Sequence, residues 1–270
     1  PRQPTWLGSN PGKTPFFNIS DTILAAATAA DHAAGILFPG LSMAAAQIIA
    51  SATGIEVARV ESLPFGEHSY ICRRTGAADC FIVDPGFEPE AIVAWIDAQR
   101  LVPSAILLTH GHSDHIAGNG FLKARWPELP IVVGRDEAAK LTDPVANLSA
   151  PFGLALTSPP ADRLVVHDER FSEAGLDLEV RAIPGHSSGH VVYLLRSTTP
   201  PLVFGGDVLF REGIGRTDFP DGDFAALASG IRSHLYPLPP ETVVFPGHGD
   251  PTTVAHERCH NPFVPATPAD

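Results

Sequence analysis

Short segments of alternating and of continuous apolar residues follow one another along the chain from residue 55 onward. The segment 55–60 reads Ile-Glu-Val-Ala-Arg-Val and alternates with a period of two, whereas Ala105-Ile-Leu-Leu108 is apolar throughout. Strict alternation predicts a half-buried strand, and an apolar run too short for a helix predicts a fully buried one. The strands predicted in this way are 55–60, 69–72, 79–84, 105–108, 178–183, 191–195, 202–204 and 243–245.

Two longer segments between these strands have a helical period. In the segment 88–100, Ile92, Trp95 and Ile96 fall on one face of a helix, and 224–235 also places its Ala, Leu and Ile residues on one face. Strands mixed with amphipathic helices predict an α/β fold. A chain of 270 residues, with 44% hydrophobic and 18% charged residues, can bury one large core of this class and carry an appendage.

The first part of the chain, residues 1–54, differs from the rest in composition and in its pattern of apolar residues. Residues 1–20 are rich in Pro, Gly, Ser and Asn without any period, which predicts an extended arm. The Ala-rich segments 21–34 and 41–52 flank a Phe-Pro-Gly sequence and predict a helical hairpin. We therefore divide the chain into an N-terminal arm and helical hairpin, 1–54, and a main domain, 55–270.

Charge and composition narrow the classes of partner. A formal charge of −12 without any run of Lys or Arg argues against nucleic acid, and no uncharged apolar run reaches the ~18 residues that a membrane span needs. Three widely spaced cysteines indicate neither a disulfide framework nor a CxxC site. We expect a cytoplasmic protein that acts on a small molecule, and the first residue, Pro1 rather than Met, indicates a processed or trimmed N-terminus.

Three imidazoles and one carboxylate lie within six positions directly after the predicted strand 105–108. The stretch Thr109-His-Gly-His-Ser-Asp-His-Ile-Ala-Gly118 contains His110, His112, Asp114 and His115. Alternate residues of an extended segment share a face, so His110 and His112 point to one side, while Asp114 and His115 begin a helix. Zinc and iron accept imidazole nitrogen and carboxylate oxygen, so each pair can begin a metal site. Chance would produce such a cluster on the order of once per thousand chains of this composition.

Further candidate ligands follow later apolar strands. His186, Asp207 and His248 each come after one of these strands and one or two glycines, which let the backbone turn sharply toward a crowded centre. Nearby, His190 is predicted to support the His186 loop by a hydrogen bond, and His68 is predicted to be a solvated surface residue.

With these residues in place, the chain resembles the metallo-β-lactamase superfamily over about residues 55 to 263. The resemblance implies a four-layer αβ/βα sandwich, here with an N-terminal helical extension, and metals at one edge. Three stretches, Phe204–Asp218, Phe245–Thr253 and Glu257–Phe263, are similar to the short glyoxalase II-type, hydroxyacylglutathione hydrolase-like enzymes. In that family the positions of His110, His112 and His186 hold a first metal, those of Asp114, His115 and His248 hold a second, and that of Asp207 bridges the two.

The resemblance implies a reaction and a substrate class. Two divalent metal ions, zinc in the first place with iron or manganese as alternatives, would supply a metal-bound hydroxide that cleaves an acyl thioester or ester, such as a glutathione thioester. Asp114 and Asp207 would be catalytic, with Asp114 steering the hydroxide. Arg216 stands where those enzymes place a Lys and would bind an anionic substrate, and the alternative is an ion pair with Asp218 or Asp221.

Other functions remain open at this point. A mononuclear iron persulfide dioxygenase shares a stretch like Gly213–Phe219 and would use His110 or His112 with His186 and Asp207. Its usual Pro-Ala-His-Asp-Tyr ending differs from Pro246-Gly-His-Gly-Asp250, which favours the hydrolase. A metal-binding scaffold without turnover is disfavoured because open metal constellations are usually catalytic.

Overall fold

The first of two large sheets contains seven strands that are neighbours in the order of the chain. The structure, a computed structural model, describes residues 45–52 and 54–266. Strands β1 to β4 pair antiparallel, and β4 to β7 pair parallel. The strands are β1 (Gln47–Ala52), β2 (Ile55–Ser62), β3 (Glu67–Arg74), β4 (Asp79–Val83), β5 (Val102–Leu108), β6 (Ile131–Gly134) and β7 (Arg163–Val165).

The second sheet contains six strands in the order β15-β14-β11-β10-β9-β8, and β12 and β13 form a separate two-stranded ribbon. Within the six-stranded sheet only β11 and β14 pair parallel. The strands are β8 (Arg170–Glu173), β9 (Leu176–Ala182), β10 (Val191–Leu195), β11 (Leu202–Gly206), β12 (Leu209–Phe210), β13 (Gly213–Ile214), β14 (Val243–Pro246) and β15 (Thr252–Thr253).

Short helices connect and cover the strands. The α-helices are α1 (Pro89–Gln99), α2 (Ser113–Ile116), α3 (Asn119–Arg125), α4 (Phe224–Gly230) and α5 (Val254–His260). Two 3₁₀ helices span Arg135–Thr142 and Ala150–Phe152, and a π-helical turn, Ile231–Leu235, continues α4. No helix in the described part of the chain combines the length and apolar character that crossing a bilayer requires. A cytoplasmic location stays a prediction.

Three apolar clusters hold the layers together. Between the sheets, the ring of Phe204 lies 5.7 Å from that of Tyr70 and 5.6 Å from that of Phe245. Ile92 and Ile96 of α1 pack on the outer face of the first sheet, and Leu227 of α4 packs on the outer face of the second. The order of layers is therefore helix, sheet, sheet, helix, which confirms the predicted four-layer αβ/βα sandwich.

The predicted second N-terminal helix is wrong for the part that the structure describes. Gln47–Ala52 is a strand that pairs antiparallel with β2, with Gln47 opposite Arg59 and Ala52 opposite Ile55. The edge of β2 offers N–H and C=O groups, and pairing with them outweighs the modest helix preference of the alanines. The predicted arm and first helix lie outside the described residues, and the division of the chain at residue 54 stays a prediction.

The ends of several strands meet at one edge of the sandwich. The amide of Val191, at the start of β10, donates to the carbonyl of Thr109 just past β5, with N and O 2.9 Å apart. The amide of Gly247, past β14, donates to the carbonyl of Gly206 at the end of β11 over 2.8 Å. These bonds bring the loops that follow β5, β9, β11 and β14 together, and all seven predicted ligands lie on these loops.

Candidate metal centre

The loop after β5 contributes four of the seven side chains. His110 and His112 lie in the extended segment that leaves the strand, and Asp114 and His115 lie in the single turn of α2. His110, His112 and His115 are buried. Because the backbone changes from extended to helical within this loop, the two pairs approach one cluster from different directions, as predicted.

The first group of ligands combines this loop with the loop after β9. His186 Nε2 lies 2.9 Å from His112 Nδ1, and His110 Nε2 lies 3.1 Å from the same nitrogen. One ring nitrogen of each residue lies within 4.8 Å of the others, so the three imidazoles could hold a metal ion.

The second group combines α2 with the loop after β14. Asp114 Oδ2 lies 3.4 Å from His248 Nε2 and 3.9 Å from His115 Nε2. Potential ligand atoms of these residues again lie within 4.8 Å of one another.

Asp207 lies between the two groups. Its Oδ1 is 3.5 Å from His115 Nε2, and its Oδ2 is 3.4 Å from His186 Nε2 and 3.5 Å from His248 Nε2. The structure therefore brings all seven sequence-predicted positions together, with one carboxylate in contact with both groups.

The unpaired polar atoms of the cluster fit divalent metal ions. His112 Nε2, His115 Nε2 and Asp207 Oδ1 are buried without a hydrogen-bond partner among the described residues. Buried polar atoms are nearly always paired, so each such atom calls for a partner. Imidazole nitrogen with carboxylate oxygen, and no sulfur, is a donor set suited to zinc, iron or manganese.

Burial keeps the three histidines of the first group, His110, His112 and His186, neutral. It lowers the pKa of His110 well below its usual range, with His115 adding to the effect, and burial together with His186 lowers the pKa of His112 to about 3. Burial also lowers the pKa of His186. A neutral imidazole is the form that donates a lone pair to a metal.

Carboxylates dominate the other half of the cluster. Burial acts to lower the pKa of His115 and of His248, but Asp114 and Asp207 outweigh it and raise these pKa values to about 10 and about 11. Burial acts to raise the pKa of Asp207, but His248 and His115 outweigh it and hold this pKa well below its usual range. This half of the cluster therefore favours positive charge, which a bound cation would supply.

Asp84, at the end of β4, orients the metal-site loop, and the sequence analysis missed this role. Its Oδ2 lies 3.1 Å from His115 Nδ1 and accepts from Thr109 Oγ1 over 2.6 Å, while its Oδ1 accepts from the Thr109 amide over 2.7 Å. Asp84 could also join His110 and His115 as a ligand by distance. Since its two oxygens already bind Thr109 and His115, we assign it to orientation, which leaves His115 Nε2 facing Asp207.

Two further histidines support the cluster. The amide of Asp207 donates to His190 Nε2 over 3.1 Å, so the ring of His190 holds the Asp207 turn. The backbone of His190 also supports the His186 loop as predicted, because its amide donates to the Ser187 carbonyl and its carbonyl accepts from the Ile183 amide. His68 is buried in β3, and its amide donates to the carbonyl of Gly247 over 2.7 Å. The prediction of a solvated His68 is wrong, because β3 faces the loop after β14 and this loop covers the side chain. Burial lowers the pKa of His68 to about 4.

Arg216 contributes its backbone to the cluster and its side chain to the surface. Its carbonyl accepts from His186 Nδ1 over 2.9 Å, which leaves His186 Nε2 facing the cluster. The side chain is 66% exposed, and its guanidinium binds both oxygens of Asp218 at 2.9 Å and lies over the ring of Phe219. Of the two alternative partners, Asp218 is therefore the one found, and Asp221 instead pairs with Lys140 at 2.6 Å.

Glu137 ties together the two loops that carry the first group of histidines. Its Oε2 accepts from the Gly111 amide over 2.8 Å, and its Oε1 accepts from the Gly189 amide over 2.7 Å and from Ser187 Oγ over 2.6 Å. Lys140 Nζ donates to the same Oε1 over 3.0 Å. A single fully buried carboxylate thus joins the neighbours of His110, His112 and His186.

Glu137→Ala is expected to destabilise the protein by about 3 kcal/mol or more, because removing one partner of a buried charged network leaves the others unpaired. Urea denaturation of the variant and of the parent protein measures the difference. Glu128→Ala, at an exposed position, is the matched control and should change stability by less than about 0.5 kcal/mol. Equal effects of the two substitutions would contradict the bridging role.

Gly247 allows the loop after β14 to approach the cluster. A Cβ at this position would overlap Asp207 Oδ1 and lie 2.6 Å from His115 Cε1. Contacts this close require the side chains of Asp207 and His115 to move, because hydrogen bonds on either side hold the backbone of Gly247 in place.

Gly247→Ala is expected to destabilise the protein by about 1–3 kcal/mol through overpacking and to lower its metal content. Thermal unfolding and elemental analysis test the two effects. Gly120→Ala is the control, since the nearest atom to its Cβ is 4.0 Å away and alanine is the better helix former. A Gly247→Ala protein with parent-like stability and metal content would show that the close approach is dispensable.

A cavity of about 300 Å³ opens beside the cluster. Its polar wall includes His112, Asp114, His186, Asp207 and His248. The rest of its lining is largely aromatic or aliphatic and consists of Phe65, Leu148, Phe152, Phe210 and Phe219, together with Ser113 and Arg216. A small molecule in this cavity would contact both the ligand cluster and an apolar surface.

Comparison with known proteins gives a consistent result. The sequence profile of the metallo-beta-lactamase superfamily matches residues 64–248. Over 186 residues the chain is 39% identical to the probable metallo-hydrolase YqgX of Bacillus subtilis (strain 168), which covers 68% of this chain and 87% of that protein. It is 36% identical over 191 residues to the hydroxyacylglutathione hydrolase GloC of Haemophilus influenzae, over 68% of this chain and 86% of that protein.

Solved structures show the same fold. The crystal structure of the BLEG-1 B3 metallo-beta-lactamase superimposes with a TM-score of 0.73 and 34% identity, over 77% of this chain and 99% of that chain. That of TTHA1623 in a di-iron-bound form gives a TM-score of 0.67 and 35% identity, over 76% of this chain and 98% of that chain.

Proposed function

Because the chain belongs to the metallo-beta-lactamase superfamily, we propose that this metallo-hydrolase cleaves an acyl thioester or ester of a small molecule. The observation that carries the proposal is the position of Asp207, which lies between two groups of imidazole and carboxylate side chains in the wall of a cavity. The similarity to the hydroxyacylglutathione hydrolase GloC supports a glutathione thioester as the first substrate to test.

Two divalent metal ions would occupy the cluster. His110, His112 and His186 would hold one, and Asp114, His115 and His248 would hold the other, with Asp207 as the shared ligand. Zinc is the first candidate, and the di-iron form of TTHA1623 supports iron as an alternative. When bound, such ions lower the pKa of a coordinated water to ~7, so that a strong nucleophile is available at neutral pH.

Asp114 is proposed to orient the water that attacks the substrate. Its carboxylate lines the cavity and its side chain is 18% exposed, so one oxygen can face a molecule in the cavity while Oδ2 lies 3.4 Å from His248. The free carboxylate oxygen of Asp114 can accept a hydrogen bond from the water. This bond would orient the water so that a lone pair of the water oxygen points at the acyl carbon. Asp207 would act by holding both groups of ligands at a constant separation.

Arg216 is proposed to contact an anionic group only if Asp218 releases its guanidinium. Both oxygens of Asp218 bind the guanidinium in the structure. Because the pair is exposed, replacing Asp218 by an anionic group of the substrate costs little free energy. The backbone carbonyl of Arg216 supports His186 in either case.

The proposal is tested by elemental analysis of the purified protein together with hydrolysis assays on S-lactoylglutathione and on simple acyl thioesters and esters. Two equivalents of a divalent metal and turnover of at least one thioester are expected. One iron per chain with oxygen consumption on glutathione persulfide would instead favour a persulfide dioxygenase. A protein that binds metal and turns over neither class of substrate would overturn the proposal.

A further inference from the structure

The apolar half of the cavity is the feature of the site that the proposed reaction does not use. Phe65, Leu148, Phe152, Phe210 and Phe219 are all at least partly exposed, and Phe152 is 44% exposed. Phe219 packs edge-on against His112 and His186 with ring centroids 5.3 and 5.6 Å apart, so the apolar surface begins directly beside the ligands. Exposed aromatic surface in a concave site is the surface that a bound apolar group covers.

Away from the ligand cluster, the cavity offers little that would attract a negatively charged group. Among the described residues that line it, Arg216 is the one Lys or Arg, and its guanidinium binds Asp218 through two hydrogen bonds. The part of a substrate beside the apolar wall is therefore recognised by its apolar area and not by its charge.

The apolar wall is also held in place before any ligand arrives. The rings of Phe65 and Phe152 meet edge-on at 5.9 Å, and Phe65 packs against Phe87 at 5.6 Å. The loop that carries Phe152 is anchored by Asn147, whose carbonyl accepts from the Ser113 amide over 2.9 Å and whose side chain donates to the Leu156 carbonyl over 2.9 Å. A wall that is already ordered loses little conformational entropy on binding.

From these observations, and resting on the proposed thioester and ester hydrolysis, we propose that the enzyme selects substrates with an apolar acyl group, aromatic or of medium chain length, and that Phe65 and Phe152 determine this specificity. The cavity of about 300 Å³ is at the small end of the range for ligand sites, which suits one ring or a short chain. In the reaction, water adds its oxygen to the acyl carbon, the carbon–sulfur bond breaks, and the products are a carboxylate and a thiol, with one proton released.

The test compares acyl groups on one thiol. S-acetyl-, S-lactoyl-, S-hexanoyl- and S-benzoylglutathione differ only in the acyl part, so contacts with glutathione cancel. Each methylene moved out of water contributes roughly a fourfold change at 0.8 kcal/mol, and the partly open cavity reduces this figure. We expect kcat/KM for the hexanoyl and benzoyl substrates to exceed that for the acetyl and lactoyl substrates by at least about tenfold.

Two variants and one control assign the preference to residues. Phe65→Ala and Phe152→Ala should each lower the ratio of hexanoyl to acetyl kcat/KM by about threefold or more. Phe121→Ala removes a phenylalanine that is 43% exposed, close to the 44% of Phe152, and that does not line the cavity, so it should leave the ratio unchanged. Equal ratios in all three variants and the parent protein would overturn the assignment.

A binding measurement separates this inference from the proposed function. Calorimetric titration of the purified protein with S-methyl- and S-hexylglutathione, which are thioethers and cannot be hydrolysed, should give at least about tenfold tighter binding of the hexyl compound. If no thioester or ester is hydrolysed, the proposed function fails whatever the thioethers do. If thioesters are hydrolysed but the lactoyl substrate is preferred, or the two thioethers bind alike, the reaction stands and the apolar specificity is overturned.

Discussion

Asp207→Asn is expected to reduce hydrolysis by more than about a hundredfold, because loss of a residue that only supports a metal ligand already costs roughly 10- to 100-fold. The substitution keeps the size of the side chain and removes its charge. Both oxygens of Asp207 face imidazole nitrogens of the proposed ligand groups, at 3.4 to 3.5 Å. An amide offers one neutral oxygen in place of two charged ones, so it cannot hold both groups.

The metal content distinguishes this account from a general loss of structure. Elemental analysis of Asp207→Asn should show clearly less metal per chain than the parent protein, while circular dichroism should show the same secondary structure. Asp97→Asn is the control, because the side chain of Asp97 forms an exposed pair with Arg125 at 3.4 Å, and its substitution should affect neither property. Full metal content and full activity in Asp207→Asn would remove this residue from the proposed centre.

Removal of the metal by a chelator is expected to abolish hydrolysis and to lower the midpoint of thermal unfolding by about 5–10 °C. A ligand present at 100 times its Kd stabilises the native state by about 2.7 kcal/mol. In a protein of this size 1 kcal/mol corresponds to roughly 2–4 °C. The buried atoms His112 Nε2, His115 Nε2 and Asp207 Oδ1 would again be without partners, which is the physical reason for the loss.

Addition of a single metal at a time then identifies the ion that restores function. Zinc, iron and manganese, each added to the chelated protein, should restore thermal stability to different extents, and the active ion should restore both stability and hydrolysis. Since the donor set does not discriminate strongly among these ions, activity is the more selective readout. Hydrolysis that persists after complete removal of metal would contradict a metal-dependent mechanism.

The sequence predicted the main strands and the fold class well, for a local reason. The apolar run Ala105-Ile-Leu-Leu108 and the alternating segment from Ile55 each lie within the strands found, and the helix predicted over 88–100 spans Pro89–Gln99. In each case the local preference and the tertiary environment agree, so the pattern of buried positions is visible along the chain.

Predictions were wrong where a tertiary contact opposed the local preference. Gln47–Ala52 has a composition typical of a helix but pairs with β2, and His68 has the character of a surface residue but is buried in β3. Neither the exposed edge of β2 nor the loop that covers His68 can be read from the neighbouring residues.

The sequence by itself determined the identity of the seven candidate ligands, because each follows an apolar strand and a glycine or lies in the dense histidine loop. Only the tertiary structure decided which residues support them and what surrounds them. Asp84 contacts His115 across 31 positions, Glu137 contacts Gly189 across 52, and the wall of the cavity joins Phe65 to Phe152. Such contacts have no local signature, since they arise when separate loops meet at one edge of the sandwich, where burial favours a partner for each polar atom.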